Sequence, residues 1–282
     1  MKTNPFTEIT GQHTAKLLLT KAISHNKVAP AYLFSSEIEG VGKSKIALAF
    51  ANAIAGNNNS LDILHIKPCF LENNSQQKGI PTIRVEQIRE VIEFLSTSAM
   101  SSKPKVVIIH DADLLNLTAA NTFLKTLEEP KTGIFILISS RPQKLLPTIN
   151  SRCQIVPFSR LTNEEVVSIL KDQQIELTEE ILAISEGSPG RAIANINMLT
   201  LIPKEIITQL KAPPDSIPTA LSLSNTISHW NYETQLWLLT YLQHIWWKKL
   251  HNIQLLAKIT DARNQILYHV TPRNVWDTLL LP

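Results

Sequence analysis

The sequence predicts an α/β domain built on a parallel sheet, followed by a helical remainder. Three observations carry this. Short β-branched and aromatic runs alternate with helix-forming segments through residues 1–160. The first of those runs leads into a Gly-Lys-Ser loop that opens a helix, and beyond Arg160 the strand signals stop.

The elements follow in order. A-Y-L-F at 31–34 suits a buried parallel strand, and K-I-A-L-A-F-A-N-A-I-A-G at 45–56 is an Ala-rich helix closed by Gly56. Between them lies F-S-S-E-I-E-G-V-G-K-S. A phosphate loop reads G-x-x-x-x-G-K-[ST], so Gly42, Lys43 and Ser44 fit, while Glu37 holds the place of the opening glycine. Residues 57–60 and the stretch Cys69 to Pro81 read as polar surface loops. R-V-E-Q-I-R-E-V-I-E-F-L sets Val85, Ile88, Val91 or Ile92, and Leu95 on one helical face. K-V-V-I-I is a second buried strand ending at H-D-A-D, T-A-A-N-T-F-L-K-T-L-E-E-P is a helix stopped by Pro130, and I-F-I-L-I-S-S is a third strand. Downstream, Thr162 or Asn163 caps one helix, and Ser188 with Pro189 opens another. K-A-P-P-D-S-I-P at 211–218 marks a break before a last helical stretch that holds all five tryptophans. Trp237, Trp246 and Trp247 are read there as core or subunit-interface residues rather than ligand contacts. The division is 1–160, 161–208 and 209–282.

Composition narrows the class. The 282 residues are 44% hydrophobic and 18% charged, a globular balance, and a chain of this length divides into two or three domains. Net charge is +3, so a polyanionic partner is compatible but no basic tail drives it. Arg84, Arg89, Lys103 and Lys105 are candidate DNA contacts, with solvated surface charge as the plainer alternative. Cys69 and Cys153 form neither a disulfide framework nor a zinc spacing, which suits a reducing cytoplasm. The apolar run at 236–247 is shorter than the roughly 20 residues of a membrane span, and the N-terminal residues lack a signal-peptide core. No membrane role is expected.

An ATP-hydrolysing site of this architecture needs a phosphate cradle, an acidic pair at a strand end, a polar sensor and an arginine at the γ-phosphate. Here the acidic pair reads His110 and Asp111. A neutral imidazole is a poor partner for Mg²⁺, which takes oxygen ligands. Zinc held by His110, Asp111 and Asp113 is disfavoured, because adjacent residues on a strand end point apart. Glu37 places a carboxylate where the γ-phosphate would lie and removes a glycine's backbone freedom. Gly40, Gly42, Lys43 and Ser44 survive, so residual ATP or ADP binding stays possible, and Ser139 or Ser140 supplies the sensor.

L-K-T-L-E-E-P followed by S-R-P-Q-K-L-L-P-T-I-N-S-R-C resembles the bacterial clamp-loader subunits of the AAA+ class, a likeness covering residues 9–200. V-E-Q-I-R-E, G-S-P-G-R-A and the altered phosphate loop resemble its non-motor branch. The resemblance implies an AAA+ α/β domain, a small helical lid and a helical C-terminal collar. It implies that Arg152 of S-R-C is an arginine finger serving a neighbouring subunit's ATP site. The cis arginine of the family's motor subunits falls on Gly190, with Arg191 one residue late. Many relatives carry a four-cysteine zinc module after the phosphate-loop helix; Gly56 and asparagines stand there instead, so no metal is expected. The implied partners are gamma/tau motor subunits and a delta subunit in a hetero-pentamer, the sliding clamp, and primed DNA through the complex. Two other readings are an active ATPase, either a gamma/tau-like motor or another DNA-acting machine, and a small-molecule kinase, which lacks a recognisable lid arginine cluster.

Overall fold

A computed structural model of the chain describes residues 4–56, 60–70, 81–97, 99, 103–128 and 133–281. The polar stretch at 57–59, most of the loop at 69–81 and the helix stop at Pro130 lie outside these residues. The chain falls into two compact units, Met1–Glu165 and Val166–Pro282.

The first unit runs α1 (His13–Ser24), β1 (Ala31–Ser35), α2 (Lys43–Ala55), β2 (Ile63–Ile66), α3 (Val85–Ser96), β3 (Lys105–Ile109), α4 (Leu117–Glu128), β4 (Gly133–Ser139), α5 (Pro147–Asn150) and β5 (Gln154–Pro157). The five strands are parallel in the order β2-β3-β4-β1-β5. Alternation along each strand divides its side chains between two apolar layers. Tyr32, Phe34, Val106 and Ile136 pack with Ile46 and Phe50 of α2 on one face. Leu33, Val107 and Leu137 pack with Ile88 of α3 and Phe123 of α4 on the other.

The predicted strands and helices of this unit are present, and two strands join them. In I-L-H-I the exposed His65 interrupts the apolar run of β2, and β5 is an edge strand with one buried residue in four, Val156. Neither has the continuous hydrophobicity of a central parallel strand. Register sets Ser35 of β1 beside Ser139 of β4, and Ile109 of β3 beside Leu137. The loops after β1, β3 and β4 therefore emerge side by side at the C-terminal edge of the sheet, where ligands of open α/β sheets bind.

α6 (Asn163–Asp172) crosses the unit boundary, and the second unit continues with α7 (Glu179–Ile184), α8 (Pro189–Leu201), α9 (Lys204–Gln209), α10 (Ile217–Ser228), α11 (Tyr232–Leu250), α12 (Ile253–Leu267) and α13 (Pro272–Leu280). Thr162 and Glu165 cap α6 reciprocally: Thr162 Oγ1 accepts from Glu165 N at 3.2 Å, and Glu165 Oε2 accepts from Thr162 N at 2.9 Å. Ser188 Oγ caps α8 by accepting from Arg191 N at 3.1 Å, with Pro189 in the first turn. One apolar cluster extends from Ile181 to Leu280. Trp246 and Trp276 are buried in it, donating to Leu210 O and Gln235 Oε1, each at 2.8 Å. Trp237 donates to Asn195 Oδ1 at 2.9 Å, linking α11 to α8. Helices on both sides of the 208/209 division thus share one core. Among the described residues, no helix is long and apolar enough to cross a membrane.

Candidate functional site

The loop after β1 is built without its opening glycine. Ser36 Oγ accepts from Ile38 N at 3.1 Å, turning the chain directly after the strand. Glu37 is exposed and lies outside the left-handed region of backbone space, so position 37 does not need a glycine's freedom. The left-handed residues are Gly40, at φ 75°, and Gly42, at φ 98°. Gly42 immediately precedes α2, leaving the first N–H groups of that helix turned toward the loop mouth, with Ser44 exposed beside them.

Lys43 is buried at 5% exposure. Its Nζ donates to Ile38 O and to Ser140 Oγ, both at 2.9 Å. Burial pulls its pKa down to about 8, against the opposing pull of Glu39, Asp111 and Asp113. The carboxylate that acts on the lysine from within the loop is that of Glu39.

The loops after β3 and β4 close the other side. Asp111 sits at φ 47°, a left-handed conformation that Asp tolerates better than most residues. Burial, Asp113 and Glu39 raise its pKa, while Lys43 and Arg141 counteract the shift. Asp113 is buried and braced: its Oδ1 accepts from Ser139 Oγ at 2.7 Å, and its Oδ2 pairs with Arg141 Nε at 2.9 Å. The two serines at the end of β4 are therefore committed, Ser139 to Asp113 and Ser140 to Lys43. Asp113 and Arg141 were not legible as a pair, because 28 residues separate them.

His110 does not supply a magnesium-binding oxygen. Its Nε2 lies 3.2 Å from Nδ1 of His65, and the rings stack with centroids 5.5 Å apart. Burial, with His65 and Lys67 adding to it, pushes the His110 pKa down to about 4. At neutral pH the pair is uncharged, one ring donating to the other. The glycines and the start of α2 suit a phosphate, but this donor set does not suit Mg²⁺. Among the described residues no group of three or more His, Cys, Asp or Glu could hold a metal.

Arg152 stands apart from that cluster. It follows α5 and is exposed, with Nη1 donating to Thr148 O at 3.0 Å and Nη2 to Glu128 Oε1 at 2.7 Å. Cys153 beside it is half-buried, and its thiol is pushed up to about 11 by desolvation, so it packs as an uncharged group. In the second unit, Gly190 occupies the first turn of α8 and Arg191 pairs with Glu186 at 2.8 Å. Of the candidate DNA contacts, Lys105 is buried, its Nζ donating to Phe94 O at 2.7 Å and Thr97 O at 2.8 Å beneath the Phe94 ring, so it offers no surface charge. Arg89 and Lys103 are exposed and Arg84 is half-buried.

Comparison with known proteins assigns the family. The family model described as DNA polymerase III, delta subunit, matches residues 11–162, and that described as cyanobacterial DNA polymerase III delta prime, C-terminal domain, matches residues 162–282. DNA polymerase III subunit delta′ of Pseudomonas aeruginosa is 41% identical over 112 residues, 38% of this chain and 34% of the relative. The Escherichia coli subunit delta′ is 34% identical over 173 residues, 59% of this chain and 51% of the relative. The chain thus spans about a third to a half of these relatives' length. A replication factor C small subunit of Methanococcus maripaludis is 31% identical over 233 residues, 77% of this chain and 70% of the relative. Among solved structures, a gamma subunit-related protein from Thermotoga maritima shares the fold at TM-score 0.57 and 17% identity, covering 95% of this chain and 97% of its own. With both family models matched in succession from residue 11 to residue 282, the chain belongs to the DNA polymerase III delta-prime family.

Proposed function

We propose that the chain is the non-motor, delta-prime subunit of a bacterial clamp loader, and that its arginine serves a neighbour's ATP rather than its own. In this reading it joins gamma/tau-type motor subunits and a delta subunit in a cytoplasmic hetero-pentamer that places the sliding clamp on primed DNA. Helices of residues 161–208 act as a lid and those of 209–282 as the collar. The observation that carries the reading is a contrast between two sites. Within the chain's own cradle, Lys43 is bonded to Ile38 O and Ser140, and an uncharged imidazole stands where a metal-binding carboxylate is needed. Arg152, outside that cradle, is exposed on a short turn whose Ile149 is fully buried.

An arginine finger supplied in trans contributes about 10³- to 10⁵-fold to phosphoryl transfer. Arg152→Ala in the reconstituted complex is therefore expected to lower turnover at the one ATP site it faces by about 10³-fold or more, read as the loss of that site's share of the hydrolysis stimulated by clamp and primed DNA. Wild-type rates in that variant would overturn the trans role.

One observation favours a second reading, an ATPase active in its own right. Gly40 and Gly42 keep the left-handed geometry of a phosphate loop, with Ser44 exposed at the start of α2. Turnover by the purified chain that disappears in Lys43→Ala would establish this reading in place of the first.

A further inference from the structure

We infer that Glu128 is the positioning residue for Arg152, holding the guanidinium in the orientation in which it is presented to the adjoining subunit. This rests on the trans-finger reading and deepens it by naming what aims the finger.

The arginine is exposed, yet two elements hold it. Thr148 O, on its own α5, accepts from Nη1 at 3.0 Å, and Glu128 Oε1, at the last residue of α4, accepts from Nη2 at 2.7 Å. A guanidinium is a rigid planar fork, so two bonds on different nitrogens define its plane as well as its place. These bonds use two of its five N–H groups, and the remaining three are available for an acceptor outside the chain. Both carriers are anchored in one apolar cluster: Phe123 and Leu127 bury α4, and Ile149 buries α5. Glu128, on α4, and Arg152, in the turn directly after α5, are therefore held by elements with little freedom to shift against each other.

Helix stability does not explain the glutamate. The C-terminal end of a helix carries partial negative charge and favours cations, so a carboxylate at the last position of α4 is placed against the dipole. Nor does the pair contribute much to folding, because both side chains are exposed, at 38% and 53%. The strongest consequence of the contact is geometric. An arginine with four side-chain torsions loses much rotational freedom when a charged acceptor fixes it, and reactive geometry is steeply sensitive to displacements of about 1 Å.

The test is a double-mutant cycle in the complex reconstituted from this chain with its own motor and delta-type subunits, reading ATP hydrolysis in the presence of clamp and primed DNA. Glu128→Ala is expected to lower kcat of the site facing Arg152 about tenfold at unchanged KM. Glu128→Gln keeps an acceptor oxygen and is expected to lose only about threefold. In the Arg152→Ala background, Glu128→Ala is expected to cost nothing further, because a residue acting through the arginine has nothing left to position. A tenfold loss that persists without the arginine would make Glu128 merely structural, and an unchanged or raised kcat in Glu128→Ala would mean that it does not aim the finger; either result overturns the inference while leaving the trans role intact. A silent Arg152→Ala would instead remove the reading on which the inference stands.

Discussion

Glu37 and His110, two departures from a working phosphate site, have different weights once their surroundings are known. Glu37 points to solvent from an unstrained position, so its effect on the loop is small. His110 changes the chemistry of the strand end. Its ordinary pKa near 6.5 is held down to about 4 by burial and by His65 and Lys67. Between those values the unfolded chain binds a proton that the folded chain does not, so folding stability falls as pH drops from 6.5 to 4 and is fully present above 6.5. After allowance for solvent screening of this half-exposed group, the loss is on the order of 1 kcal/mol. Urea unfolding of the full chain at pH 7.5 and pH 5.0 checks this, and His110→Asn is expected to flatten the dependence. Lys43, at about 8, predicts a complementary effect on ligand. Affinity for inorganic pyrophosphate, measured by calorimetry, is expected to decline as pH rises through 8 and the ammonium loses its proton.

Connections between loops matter most at the scale of elements. Gln12, which precedes α1, is buried and bonds to two segments distant in sequence: its Nε2 donates to Val41 O of the phosphate loop at 3.1 Å and to Ser159 O at 2.7 Å, and its Oε1 accepts from Ser159 N at 3.1 Å. Gln12→Ala leaves these backbone groups without their partner and puts alanine in a left-handed conformation, at φ 52°. A loss of about 2–4 kcal/mol is expected, read as a lower urea midpoint at unchanged slope. At the neighbouring Gly11, at φ 71°, a Cβ would stand 2.2 Å from Leu161 Cδ2, so any side chain there needs a strained backbone and a shift of Leu161. Elements whose signal is local were legible in the sequence. The helix caps at Thr162 and Ser188, the apolar strands β1, β3 and β4, and the loop into α2 each depend on residues within a few positions of one another. β2 and β5 were not, because a four-residue strand with a polar member has no pattern of its own and exists through pairing with β3 and β1. Lys105 shows the converse. It reads as a surface cation, but the backbone carbonyls of Phe94 and Thr97 and the Phe94 ring receive it inside the fold.

At the scale of the whole molecule, the two units are built differently. The phosphate-loop unit carries both the braced cradle and the exposed Arg152, while the helical unit is organised around a single apolar cluster. In the reading proposed above, the purified chain is expected to hydrolyse ATP no faster than background, and Lys43→Ala to leave that rate unchanged, as measured by phosphate release. Order along the chain was enough to specify the α/β class, the altered phosphate loop, the position of Arg152 and the helical C-terminal half, because each rests on periodicity or on a short contiguous motif. The partners of those residues were settled by folding alone. Asp113 meets Ser139 and Arg141, Lys43 meets Ser140, His110 meets His65 and Arg152 meets Glu128 at sequence separations of 24 to 97. Arg152 and Glu128 meet where α4 ends and β5 is about to begin; the other pairs are created when parallel strands bring their C-terminal ends to one edge of the sheet. No local pattern encodes that edge; it exists only once the strands have paired in register.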